Sequence, residues 1–246
     1  VDALIRWQHP VRGLLSAGQF LPVAEAGGLT FAIGSWVLQE ALRQAAAWYA
    51  AGYPLRMGVN VSAAQLLHPN FIQSLEEMLN RYRLPAELIE LELIESTALQ
   101  DHATGAQRLR DVRALGIRIA IDDFGTGYSS LSYLQRLHVD SLKIDRSFVD
   151  ALGSPSATPS DTVPLVQTII SLAHNFRLTV VAEGVETKHQ LDFLQRSGCE
   201  VVQGFLTGKP MPTHALTAML HQSPCMPHYH TTTNGNNGHA GTNSNH

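Results

Sequence analysis

The chain has 246 residues, 44% of them hydrophobic and 15% charged, a length that suits one large domain and a composition that rules out disorder as the overall state. Lysine and arginine number 17 against 21 acidic residues, a net charge of −4, which excludes the strongly basic surface that general DNA or RNA binding requires. No long apolar run or signal-peptide pattern is present, and Cys199 and Cys225 fit neither metal spacing nor a disulfide framework, so we expect a cytoplasmic segment that does not insert into a membrane.

Strand-like apolar runs fall at residues 3–7, 55–61, 88–94, 117–123, 141–145, 178–183 and 201–206, with helical patterns between them. Residues 31–51, rich in Ala, Leu and Gln, read as a helix stopped by Gly52, with Trp36 and Trp48 as packing residues. Thr187 and Gln190 form a capping box for a helix that Gly198 closes. Runs such as 178–182 are apolar almost throughout, as in a parallel sheet covered by helices. Repeating strand–helix units of about 30 residues predict an α/β fold, a TIM-like (β/α)₈ barrel, over a doubly wound open sheet. Seven strands for a ring of eight imply an N-terminally incomplete barrel at 1–222. Residues 223–246, rich in His, Asn and Thr without apolar periodicity, read as a disordered tail, and the Ser/Pro/Thr-rich stretch 153–164 as a flexible loop.

What terminates each strand is more informative. Asn60 closes the second run, Glu92 and Glu95 belong to the third, and Asp122 and Asp123 end the fourth. Lys143 and Asp145 lie in the fifth, Glu183 ends the sixth and Gln203 sits in the seventh. One acidic strand end is ordinarily the polar start of a loop. In a parallel barrel, however, all C-terminal strand ends meet on the face where active sites of this fold are built. Such a cluster repels itself unless cations neutralise it, and an all-oxygen donor set favours Mg²⁺ or Mn²⁺ over Zn²⁺. Asp122 and Asp123 diverge along a regular strand, but at a frayed end they can reach two metal ions about 3.5–4 Å apart. That spacing suits in-line attack on a phosphodiester. The scattered histidines (His9, His68, His138, His174, His189) show no ligand spacing.

Seven motifs then resemble, in order and over residues 1–220, the EAL-domain cyclic-di-GMP phosphodiesterases. They are Asp2-Ala-Leu-Ile-Arg-Trp7, Asn60-Val-Ser62, Glu92-Leu-Ile-Glu-Ser96, Asp122-Asp-Phe-Gly-Thr-Gly-Tyr-Ser-Ser130, Lys143-Ile-Asp145, Ala182-Glu-Gly-Val-Glu186 and Gln203-Gly-Phe205. The resemblance implies hydrolysis of bis-(3′,5′)-cyclic diguanylate (c-di-GMP) to linear pGpG. It implies a two-metal Mg²⁺ or Mn²⁺ site held by Asp2, Asn60, Glu92, Asp122, Asp123 and Glu183. Lys143 would position or deprotonate the nucleophilic water, Gln203 would help to hold it, and Glu95 would anchor the catalytic loop 124–130. Arg6 would bind a substrate phosphate, with Asp145 and Glu186 at the same mouth. The family also implies a homodimer through the catalytic-loop side, and signalling domains upstream that can tether the protein to the inner membrane.

Two departures bear on activity. The signature has Glu where this chain has Asp2, one methylene shorter, and the family has a strand pair before residue 1. Both motivate the alternative of a catalytically degenerate domain that binds c-di-GMP as a receptor.

Overall fold

The structure is a computed structural model that describes residues 1–94, 102–126, 137–152 and 159–222. Glu95, residues 127–130 of the expected catalytic loop, 153–158 of the Ser/Pro/Thr-rich stretch and the tail 223–246 lie outside the described residues. The chain falls into two compact units, Val1–Pro210 and Met211–His246. The described part of the second carries one helix, Thr213–Gln222.

The first unit is built on six parallel strands in sequential order: β3 (Met57–Asn60), β4 (Ile89–Ile94), β5 (Arg118–Phe124), β6 (Ser141–Ile144), β7 (Thr179–Ala182) and β8 (Val201–Val202). Each is followed or preceded by helices that cover one face. Side chains alternate between faces with period two. Leu91, Leu93, Ile119, Ile121, Leu142, Ile144, Val180 and Ala182 are all at most 1% exposed and pack toward the helices. The intervening positions, Glu90, Glu92, Ala120, Asp122, Ser141 and Lys143, share the other face. The strands therefore read as apolar runs because small or long-stemmed polar residues, rather than exposed ones, fill the inner positions.

The helices contribute single apolar stripes. In α2 (Thr30–Ala50) the buried set is Leu38, Ala41, Leu42, Ala45 and Trp48; in α4 (Phe71–Tyr82), after the short α3 (Ala63–Leu66), it is Phe71, Leu75 and Leu79. The spacing of three, four and seven aligns each set along one side of its helix, and each fully buried large side chain stabilises the fold by about 1.5–3 kcal/mol. The expected α2 stripe holds for Trp48 but not for Trp36, which is 56% exposed. The helix at Lys188–Arg196 starts with the expected Thr187/Gln190 capping box.

Two strand expectations need correction. The run at 3–7 is not a barrel strand. Only Asp2 bridges to β3, opposite Gly58, with Ala3 N donating to the Gly58 carbonyl (2.8 Å). Arg6–His9 (β1) then pairs antiparallel with Gly13–Ser16 (β2), because a turn in which His9 Nδ1 accepts from the Val11 and Arg12 amides folds the chain back, with Gly13 at φ +73°. The first helix, α1 (Ala17–Ala26), follows directly, and its Phe20 packs edge-on against Trp7. The run at 201–206 pairs only over Val201–Val202, since Gly204 brings the chain against the backbone of Val185, where a Cβ would lie 2.3 Å from its nitrogen.

The N-terminal ends of the strands carry a repeated clasp. Asp140, just before β6, accepts from the Ile119 amide of β5 (2.9 Å) and pairs with Arg113 of α5 (His102–Ala114) at 3.3 Å. Glu200, just before β8, likewise accepts from the Val180 amide of β7 (2.9 Å) and meets His174 of α7 (Pro159–Asn175) at 2.9 Å. Each carboxylate satisfies a strand-start N–H that lacks a partner in the ladder and ties the preceding helix to it.

Candidate metal and hydrolytic site at the barrel mouth

The C-terminal strand ends bring together side chains up to 201 residues apart in sequence. Lys143 Nζ lies 2.6 Å from Glu183 Oε1, 2.8 Å from Glu92 Oε1, 3.4 Å from Asp2 Oδ2 and 3.8 Å from Asp122 Oδ1. Gln203 Nε2 donates to Asp2 Oδ2 at 2.7 Å, and Asn60 Nδ2 to Glu92 Oε2 at 3.1 Å. The contacts follow barrel layering, in which one layer takes its side chains from alternate strands. Asp2, Glu92, Lys143 and Gln203 come from the bridge beside β3, from β4, from β6 and from just past β8. Asn60, Asp122 and Glu183 come from the ends of the strands between. The Gln203–Asp2 bond joins the two edges of the sheet.

Gly58 makes this layer possible. A Cβ there would sit 2.3 Å from Glu92 Oε1 and 2.7 Å from Asp2 Oδ1, so only glycine leaves room for both carboxylates. Nothing in the sequence singles out this glycine, because the groups it makes room for are 34 residues downstream and 56 upstream.

Asp122 and Asp123 reach the mouth together by a local irregularity. The β5–β6 register shifts between Ile121 and Phe124, and Asp123 adopts a left-handed backbone with φ +55°. A bulge of this kind re-aims consecutive side chains, and the left-handed backbone of a non-glycine residue costs about 1–3 kcal/mol, held here by the surrounding strands. The Asp123 amide donates to Asp122 Oδ1 at 3.0 Å. One carboxylate oxygen from each of Asp122, Asp123 and Glu183 lies within 4.8 Å of the others. The donor set is all oxygen, which fits a hard divalent cation.

Four carboxylates surround one ammonium, with that of Asp123 beside them, and the proton affinities record the imbalance. Burial pushes Glu92 up to about 8, reinforced by Asp2 and only partly opposed by Lys143. Burial likewise raises Asp122 and Glu183 against the pull of Lys143, and raises Asp123 together with repulsion from Asp122 and Asp145. Asp2 moves the other way. Burial opposes its ionisation, but Lys143 and the Gln203 amide outweigh it and hold the carboxyl low. Burial opposes the charge on Lys143 too, yet Glu92, Asp2, Glu183 and Asp122 raise its pKa. The pocket demands more positive charge than one lysine supplies.

The remaining sequence candidates lie around this cluster. Asp145 caps the short helix α6 (Arg146–Ala151), accepting from Ser147 N (3.1 Å) and Ser147 Oγ, and its carboxyl bonds that of Asp123. Glu186 pairs with Arg146 at 2.8 Å, outside the lysine-centred layer. Arg6 is exposed on β1, its guanidinium donating to the Ile5 carbonyl (2.9 Å), and among the described residues no carboxylate pairs with it.

Comparison with known proteins places this architecture. The family profile described as EAL domain matches residues 1–210. The bifunctional diguanylate cyclase/cyclic di-GMP phosphodiesterase MucR of Pseudomonas aeruginosa is 47% identical over 219 residues, covering 89% of this chain and 31% of that protein. The cyclic di-GMP phosphodiesterase NbdA of the same organism is 41% identical over 221 residues, covering 89% and 28%. The chain thus spans about a third of the length of the curated relatives it matches. Among solved structures, the PaMucR phosphodiesterase in complex with c-di-GMP superposes with a TM-score of 0.83 at 46% identity, covering 88% of this chain and 86% of that one. The EAL domain of Mycobacterium smegmatis DcpA gives 0.71 at 38% identity, covering 85% and 87%.

Proposed function

The chain belongs to the EAL domain family, and on that premise we propose that its barrel mouth is a divalent-metal-dependent phosphodiesterase site that opens c-di-GMP to linear pGpG. The observation that carries the reading is the convergence of the Asp122, Asp123 and Glu183 carboxylates beside the buried Lys143–Glu92 pair. A self-repelling acidic mouth has no use in a mere scaffold. The MucR and NbdA names and the c-di-GMP complex of PaMucR point to the same substrate.

Asp122, Asp123, Glu183, Glu92, Asn60 and Asp2 would hold two Mg²⁺ or Mn²⁺ ions, which when bound supply Lewis-acid polarisation of the phosphodiester and acidification of the attacking water. The chain's own part is positional. Lys143, central among the carboxylates, fixes Glu92 and Glu183 and is placed to orient that water. Gln203 holds Asp2 in the same layer, so the shorter side chain still reaches the cluster. The exposed guanidinium of Arg6 suits a substrate phosphate, which it can bind through two parallel N–H groups. Asp145 orients Asp123, and Glu186 closes the neighbouring side of the mouth. We assign Glu95 to anchoring the loop 124–130, a homodimer to that loop's side of the barrel, and a cytoplasmic location alongside other signalling domains. Among the described residues no helix is long and apolar enough to cross a membrane.

Incubation with c-di-GMP and Mg²⁺ or Mn²⁺, followed by chromatography, tests the reading. The expected product is pGpG, lost in Asp122→Ala. The Asp2 substitution motivates the receptor reading, which calorimetry in Ca²⁺ separates. Binding without product would replace the enzyme by a c-di-GMP receptor, and absence of both would sink the proposal.

A further inference from the structure

A second polar cluster lies on the same inner face, one step beneath the site. Glu90 and Ser141 precede Glu92 and Lys143 by two residues each, so they point to the same side of β4 and β6. Ser141 Oγ donates to Glu90 Oε1 across β5, where Ala120 is the intervening inner residue and is fully buried. Ser141 is 1% exposed and Glu90 9%. The nearby cation is a poor match: Arg118 Nε stands 3.6 Å from Glu90 Oε1 and has no hydrogen-bond partner of its own.

As a stabilising device this arrangement is inefficient. Burying a carboxylate with an imperfect counter-charge is costly, and apolar side chains of similar volume commonly serve a core as well or better. What a directional hydrogen bond adds over apolar packing is a fixed distance between the two strands that carry it. Those strands are the ones that supply Glu92 and Lys143.

We propose that Glu90 and Ser141 are positioning residues: their hydrogen bond sets the spacing of β4 and β6, and thereby the Glu92–Lys143 pair in the layer above. In its effect on turnover the inference rests on the phosphodiesterase reading. In its effect on Lys143 it does not.

The test compares the wild-type chain with the apolar double variant Glu90→Leu/Ser141→Ala and with Glu90→Gln, which keeps an acceptor for Ser141. Three readouts are taken: thermal midpoint, kcat and KM for c-di-GMP, and the ammonium resonance of Lys143 in ¹⁵N-lysine-labelled protein. That side chain is 4% exposed, so its N–H protons are shielded from exchange. The double variant is expected to melt at or above the wild-type midpoint, to keep KM within about twofold, and to lose about 100-fold in kcat, the cost of misplacing a reacting group by an ångström. Its Lys143 resonance should shift and exchange faster, and Glu90→Gln should recover most of kcat. Wild-type kcat with an unchanged Lys143 resonance in the double variant would overturn the proposal. If the double variant does not fold, Ser141→Ala alone is read by the same criteria. If even the wild-type chain fails to cleave c-di-GMP, the resonance decides by itself: a shift upholds the positioning role and an unchanged signal ends it.

Discussion

Replacing Glu92 by Gln should stabilise the metal-free protein while ending turnover. The Glu92 side chain is 2% exposed, accepts from Lys143 and Asn60, and has a proton affinity raised by burial and by Asp2 from 4.5 to about 8. An acid whose pKa is higher in the folded than in the unfolded chain contributes stability that is fully present below the unfolded value and lost as pH rises through the folded one. Over the window from 4.5 to about 8 the loss sums to about 5 kcal/mol, of which about 3 kcal/mol has gone by pH 7. Glutamine never ionises, so it escapes the loss; its carbonyl oxygen still accepts from Lys143, and its NH2 meets Asn60, whose amide can turn to present its oxygen. In EDTA at pH 7 the variant should exceed the wild type by about 3 kcal/mol, or roughly 6–12 °C in midpoint for a chain of this size. The advantage should vanish near pH 4.5 and reach its maximum above pH 9. Thermal melts across that range measure it directly, and added Mn²⁺ should raise the wild-type midpoint more than the variant's. A Gln variant less stable than wild type at pH 7–9 in EDTA, or an advantage that does not grow with pH, refutes the reasoning.

Three further outcomes are expected. Lys143→Met leaves Glu92, Glu183 and Asp2 without their shared cation, so metal-free melts should show a loss of about 3–5 kcal/mol, with no detectable pGpG; wild-type stability would show the ammonium to be dispensable. Gly58→Ala puts a Cβ 2.3 Å from Glu92 Oε1, and denaturant titration should register about 1–3 kcal/mol of overpacking alongside a fall in kcat of about 100-fold. Asp140→Ala, at the far end of the strands, strips the acceptor from Ile119 N and the partner from Arg113. It should cost about 1–3 kcal/mol in urea with kcat and KM for c-di-GMP unchanged, and a changed kcat would mean that the two ends of the barrel are coupled.

The order of elements and the chemistry of the mouth were legible in the sequence, because both depend on local pattern. Period-two and period-3.6 hydrophobicity marked the strands and the α2 stripe, Thr187 and Gln190 announced a helix start, and the polar residues Asn60, Glu92, Asp122, Lys143, Glu183 and Gln203 each ended or followed an apolar run. What local pattern does not encode is which inner positions meet. That Asp2 replaces a longer side chain without leaving the cluster depends on Gly58 opening space and on Gln203 arriving from the opposite sheet edge, 201 residues away. That Asp122 and Asp123 face one mouth depends on a register shift against β6, which only the pairing of two strands creates. The early run at 3–7 matched a strand pattern equally well for either partner, and the turn at His9–Gly13 drew its last two residues, Arg6 and Trp7, into a hairpin instead of the barrel. Local pattern likewise gives no sign that Glu90 and Ser141 meet. The curl of the sheet turned them inward, because curling a parallel sheet puts every second side chain on a concave surface where groups from strands two apart can touch.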